Sequence, residues 1–161
     1  VAEWLRASGI RRVCVGHKPS GDSPAVLSSD YTGVEIISAD TSYSDPAAGP
    51  TADGDAPRGC AVACVTLRGA SAEVNHAEIS GVLKDGRRHE VALRTLKQGI
   101  VELGNRHLLS GPNHDGDPHV GLELDDEWWV KARIVDAPGG APTYLCCRGK
   151  GRVVEYRDQT F

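Results

Sequence analysis

His17 is the residue in this sequence best placed for metal chemistry. It follows four residues suited to a buried strand, Val13-Cys14-Val15-Gly16, and the chain then turns through Pro19, Gly21 and Pro24. A neutral imidazole at a strand end binds a divalent cation when further ligands converge from neighbouring strands. Glycine and proline just after it hold the ring in place and open space above it. The plainer reading, a histidine that only caps a loop, stands beside this one.

A second polar group follows the next strand-like run. In "ISADTSYSD", residues 37 to 45, Asp40 and several hydroxyls with Tyr43 leave the strand together. Such an exit lines a polar pocket or meets a phosphate oxygen; equally, Asp40 and Thr41 are ordinary turn and capping residues. A third group, "NRHLLSGPNHDGDPH", brings His107, His114 and His119 close in sequence to Asp115 and Asp117. Its spacing fits no standard zinc pattern and lacks the downstream glutamate of a calcium loop, so a solvated loop is expected. The fourth is Trp128-Trp129, followed by Lys131 and Arg133. Aromatics beside cations can stack nucleobases. The acidic run at residues 123 to 127 opposes that use, and a packing anchor or protein contact is expected instead.

The elements that must position these residues are mostly strands. "AEWLRAS" reads as the end of an amphipathic helix with Gly9 as its cap. "RRVCVG", "GVEIISAD" and "GCAVACVTLRG" read as strands, the second rich in β-branched residues, and "AVLSSD" as a short apolar step. Residues 44 to 58 hold three prolines, two glycines and three acidic residues with no large apolar side chain, and read as a flexible loop. Asp85-Gly86 between two alternating runs predicts a hairpin whose two turn residues both tolerate positive φ. Three further strand-like runs follow from residue 127 onward. The expected class is α+β and predominantly β, with one unit over residues 1–94 and a β-rich extension over 95–161.

The composition excludes several functions. At 161 residues with 40% hydrophobic content the chain can bury a core, and its net charge of −4 argues against binding nucleic acid through phosphates. No apolar run reaches the length of a membrane span. The sequence contains no methionine, so it is expected to begin inside a longer gene product. Five cysteines without a Cys-x-x-Cys pair point to a reducing, intracellular compartment of unspecified identity. Cys14, Cys60 and Cys64 are expected to be small buried hydrophobes, and Cys146 and Cys147 to point to opposite faces of a strand.

Taken in order, "VCVGHKPSGD", "IISADTSYSD" and "RGCAVACV" resemble the C-terminal part of a calcineurin-like metallophosphoesterase of the protein-phosphatase-like branch. The resemblance covers roughly residues 1 to 68. It implies the last part of a β-sandwich, with His17 as ligand to one ion of a dinuclear Mn, Fe or Zn centre and Asp40 and Tyr43 near the substrate pocket. It implies hydrolysis of phosphomonoesters, phosphoprotein among them. The chain has Gly16-His17-Lys18-Pro19 where some members carry a second histidine. The family's earlier Asp-x-His, Gly-Asp and Asn-His motifs are missing from the positions before His17. The expected partners are therefore the N-terminal remainder of the same protein or a second chain carrying those ligands. The alternative is a non-catalytic, phosphatase-derived subunit of a larger assembly.

Overall fold

The computed structural model describes residues 1–17, 20–29, 34–41, 61–69, 75–93, 117, 119–135, 137–150 and 153–161. A short helix, α1 (Ala2–Ala7), opens it. Gly9 takes φ 75°, its N–H donates to the Arg6 carbonyl at 3.0 Å, and the Ile10 N–H donates to the Leu5 carbonyl at 2.8 Å. These two bonds form a Schellman cap, which needs a left-handed residue where glycine stands.

Three strands follow: β1 (Arg12–Val15), β2 (Ala25–Ser29) and β3 (Val34–Ser38). They form a sheet in the order β1-β3-β2, with β1 parallel and β2 antiparallel to β3. The remaining strands are β4 (Val62–Gly69), β5 (Asn75–Val82), β6 (Arg88–Leu93), β7 (Trp129–Ile134), β8 (Thr143–Lys150) and β9 (Val153–Thr160). These make one antiparallel sheet in sequence order. The chain is thus predominantly β, as expected. The expected division at 94/95 falls between β6 and β7, which are neighbours in this sheet.

The meander follows from period-2 patterning. In "RHEVAL" of β6, His89, Val91 and Leu93 are buried and their alternates exposed, so one face is apolar. Val26 of β2 and Ile37 of β3 join Ile79, Val91, Leu93 and Val130 of the larger sheet in a single buried cluster. Both sheets therefore contribute to one core.

The hairpin expected at Asp85-Gly86 is present, with a different turn. The Leu83 N–H donates to the Arg87 carbonyl at 2.8 Å, leaving Lys84, Asp85 and Gly86 in the loop. Only Gly86 has positive φ (86°); the Asp85 carboxylate instead accepts from the Arg87 N–H at 3.0 Å. A three-residue loop with glycine at its left-handed position needs no positive φ at the aspartate.

Candidate functional site

The order β1-β3-β2 decides where His17 goes. β1 and β3 run parallel with Val15 opposite Ser38, so both exit at the same edge of the sheet. β2 lies on the far side of β3 and runs the other way. The chain leaving β1 must therefore arch over the end of β3 before entering β2, and that arch carries His17, Ser20, Gly21, Asp22 and Ser23.

The arch is tied to the β3 exit on both sides of His17. Before it, the Val15 carbonyl accepts from the Ala39 N–H at 2.8 Å. After it, the Ser20 N–H donates to the Asp40 carbonyl at 2.8 Å. The Ser20 hydroxyl lies 3.0 Å from the Ser38 carbonyl and 3.2 Å from that of Asp40, and serves one acceptor at a time. His17 itself is exposed and takes φ 77°, a turn conformation. Asp40 is half-buried, and the next residue, Thr41, is buried with its hydroxyl donating to the Ala61 carbonyl at 3.0 Å. The topology thus brings His17 and Asp40 to one sheet edge; Tyr43 lies outside the described residues.

An imidazole and a carboxylate are donor types that Mn, Fe and Zn all accept. Two donors do not complete a coordination sphere, and the described residues contain no group of three His, Cys, Asp or Glu side chains that could hold an ion. Among the described residues, then, this edge gathers two donor-type residues, His17 and Asp40, and no complete ligand set.

The arch is also held from the larger sheet, by residues the sequence reading did not single out for this role. The Lys131 Nζ donates to the Ser23 carbonyl at 2.7 Å and to the Ser20 carbonyl. The Tyr156 hydroxyl accepts from the Asp22 N–H at 2.9 Å. Gly21 between them takes φ 88°, and a Cβ there would meet the Tyr156 hydroxyl at 1.9 Å, so glycine is required on both counts. Lys131 is only 3% exposed. Burial pushes its ammonium pKa down, opposed by Cys147 and Asp22. Burial pushes the Tyr156 hydroxyl up to about 12.

Lys131 reaches inward because β7 changes register there. Val130 pairs with Cys146 and Ala132 with Leu145, so Lys131 is the extra residue of a β-bulge. Beside it Trp129 and Cys147 line a cavity of about 150 Å³. His89, 1% exposed, has no hydrogen-bond partner for either ring nitrogen among the described residues. Burial, with Lys131 adding repulsion, lowers its pKa to about 4.

The other sequence candidates are structural. Trp128 is buried beneath the guanidinium groups of Arg157 and Arg148, 4.5 and 5.0 Å from its ring. It is the packing anchor expected of the tryptophan pair. The His119 ring stacks on Phe161 at 4.2 Å and meets Tyr144 edge-on at 5.1 Å; the His119 backbone N–H donates to the Asp117 carboxylate at 3.0 Å. His107, His114 and Asp115 lie outside the described residues. Cys146 is buried in the core cluster and Cys147 faces the cavity, on opposite sides of β8 as expected. Burial raises both thiols, Cys146 to about 11. Cys14 and Cys64 correct the sequence reading, for both are exposed. Cys64 lies on the outward face of β4, between the half-buried Ala63 and Val65, while in the edge strand β1 both Cys14 and its neighbour Val15 are exposed. Cys60 lies outside the described residues.

Comparison with protein-family models, with curated proteins and with solved structures finds no match to this chain. Among the described residues, no helix is long and apolar enough to cross a membrane.

Proposed function

We propose that this chain is the C-terminal portion of a calcineurin-like metal-dependent phosphoesterase, intracellular and acting on phosphomonoesters. One observation carries the reading. β1 and β3 are parallel, adjacent and in register, so the Gly16-His17 and Ala39-Asp40 exits emerge side by side beneath a single arch. His17 offers its imidazole to one ion of a divalent pair, and Asp40, with Tyr43, belongs to the rim that receives the phosphate. Such a pair, when bound, activates water and neutralises charge on the phosphoryl oxygens. The two sheets and their shared core are the counterpart of the family's β-sandwich. The chain as given is catalytically incomplete: the remaining ligands come from the N-terminal remainder of the protein or from a second chain.

The test is the His17→Ala variant of the full-length protein. Metal content by elemental analysis falls, hydrolysis of an aryl phosphomonoester falls with it, and the circular dichroism spectrum is unchanged. Unaltered metal content removes His17 from the ligand set. A wild-type protein that binds metal and hydrolyses no phosphomonoester is instead the non-catalytic, phosphatase-derived subunit.

A further inference from the structure

The arch that carries His17 has two attachments of different origin. Its own sheet supplies the bonds from Ala39 to Val15 and from Ser20 to Asp40. The larger sheet supplies three more, from positions more than 100 residues further along the chain. Lys131 crosses from β7 to the Ser20 and Ser23 carbonyls, and Tyr156 crosses from β9 to the Asp22 N–H. These contacts converge on four consecutive residues, Ser20 to Ser23, centred on Gly21. Gly21, which has no room for a side chain, is the residue that Tyr156 presses against.

We propose that Lys131 and Tyr156 are positioning residues that hold the arch over the β3 exit and so set the spacing between His17 and Asp40. This rests on the reading of that edge as a metal corner. It goes beyond that reading by giving the C-terminal strands a part in the site. A buried lysine is costly unless its donors are satisfied. Here two backbone carbonyls satisfy it, and neither can serve the ladder of either sheet. Ser20 is the shared node: its carbonyl is held by Lys131, and its N–H holds Asp40. Displacement of Ser20 therefore moves both the chain three residues beyond His17 and the backbone of Asp40. Geometry at a ligand set is sensitive to such support, because a donor displaced by about 1 Å contributes little.

The experiment uses the full-length protein and two variants, Lys131→Met, which keeps the length of the side chain, and Tyr156→Phe, which removes only the hydroxyl. Mn²⁺ is titrated while paramagnetic broadening of the His17 and Asp40 NMR signals is followed. Hydrogen exchange of the Ser20 and Ala39 amides is measured without metal. In the wild type both signals broaden at one Mn²⁺ midpoint. Tyr156→Phe raises that midpoint by about fivefold, the effect of one lost hydrogen bond, Lys131→Met, which loses two, raises it further, and both speed exchange at Ser20 and Ala39. Amides of β5 and β6 remain protected, so a merely structural loss is separated from the positioning effect. Folded variants with an unchanged midpoint and unchanged Ser20 exchange overturn the proposal. Should Lys131→Met fail to fold, Tyr156→Phe alone decides. A wild-type chain in which Mn²⁺ broadens neither signal defeats the metal reading instead, and faster exchange at Ser20 and Ala39 in the variants then still upholds the clamp on the arch.

Discussion

The two sheets solve the same problem of strand pairing in opposite ways. In the six-stranded sheet every strand pairs with its neighbours in sequence, and within β6 the buried positions are spaced by two. In the three-stranded sheet β1 skips β2 to pair with β3, and the central strand buries a carboxylate, Glu35, at 1% exposure. Arg12 lies directly opposite on β1, and its Nε donates to that carboxylate. The large sheet is built from local pairings and apolar burial. The small one depends on a non-local crossover, an ion pair and backbone ties at its exit. The part held by ties from the other sheet is the part that carries His17 and Asp40 to one edge.

The sharpest way to break this contrast is to remove Arg12. Burial raises the Glu35 pKa and the Arg12 charge and hydrogen bond oppose it. Arg12→Met keeps the apolar stem but takes the counter-charge from Glu35. Breaking a buried pair in this way costs about 3–5 kcal/mol. The loss should fall on the small sheet: amides of β1 and β3 should exchange first, with β5 and β6 protected to higher denaturant. Uniform loss of protection across both sheets would show that they unfold as one cooperative unit, and the contrast would be one of construction only.

A pH titration tests the other side, because the apolar sheet buries an imidazole as well as Lys131. His89 titrates near 4 rather than at its ordinary value of 6.5. Between those values the unfolded chain binds a proton that the folded chain refuses. Stability is complete above about pH 6.5 and is lost as pH falls towards 4. The full loss is about 3 kcal/mol, taking 1.36 kcal/mol per pH unit. His89→Leu removes this component, so the wild-type protein should lose more stability than the variant between pH 7 and 4 in urea melts. Parallel losses would mean that the ring is solvated.

Gly81, opposite His89 in the ladder, sharpens the same point. A Cβ there would lie 2.4 Å from the Val62 carbonyl, 2.6 Å from His89 Nε2 and 3.0 Å from the Ala63 Cα. Two of those atoms are backbone and cannot swing away. Gly81→Ala should cost about 1–3 kcal/mol by overpacking, read as a lower urea midpoint with unchanged slope. Pairing it with His89→Ala should recover part of the loss if the imidazole is the neighbour that yields.

The large sheet was the more legible of the two. Alternation in "RHEVAL", the Asp85-Gly86 turn and the glycine after α1 are local signals, and each landed where the residues placed it. His17 and Asp40 were legible as residues at strand exits. Their neighbourhood was not, because it depends on β1 pairing across β2, which no local pattern encodes. Lys131 was read only as a cation beside a tryptophan pair. Its burial comes from a bulge in β7 and from carbonyls 108 and 111 residues away in sequence. Glu35 was hidden similarly: in "GVEIIS" it has the look of the solvent-facing position of a strand, yet it shares the face of Ile37 and is buried opposite Arg12.

The smallest expected effect separates local from distant support within the large sheet itself. Gly86 sits at φ 86° with nothing within 4 Å of a Cβ placed there. Gly86→Ala therefore meets no steric obstacle and reports the backbone conformation alone, a cost of about 1 kcal/mol. The turn is also braced at its sides. Arg87 donates to Asp85 at 2.6 Å and reaches Asp158 of β9 at 2.7 Å, both exposed pairs of small net value. If the hairpin is locally determined, Gly86→Ala should cost the same in wild-type and Arg87→Ala backgrounds, measured as the shift in urea midpoint. A larger cost in the Arg87→Ala background would mean that the link to β9 helps to fix the turn, and the large sheet would then share some of the long-range dependence that marks the small one.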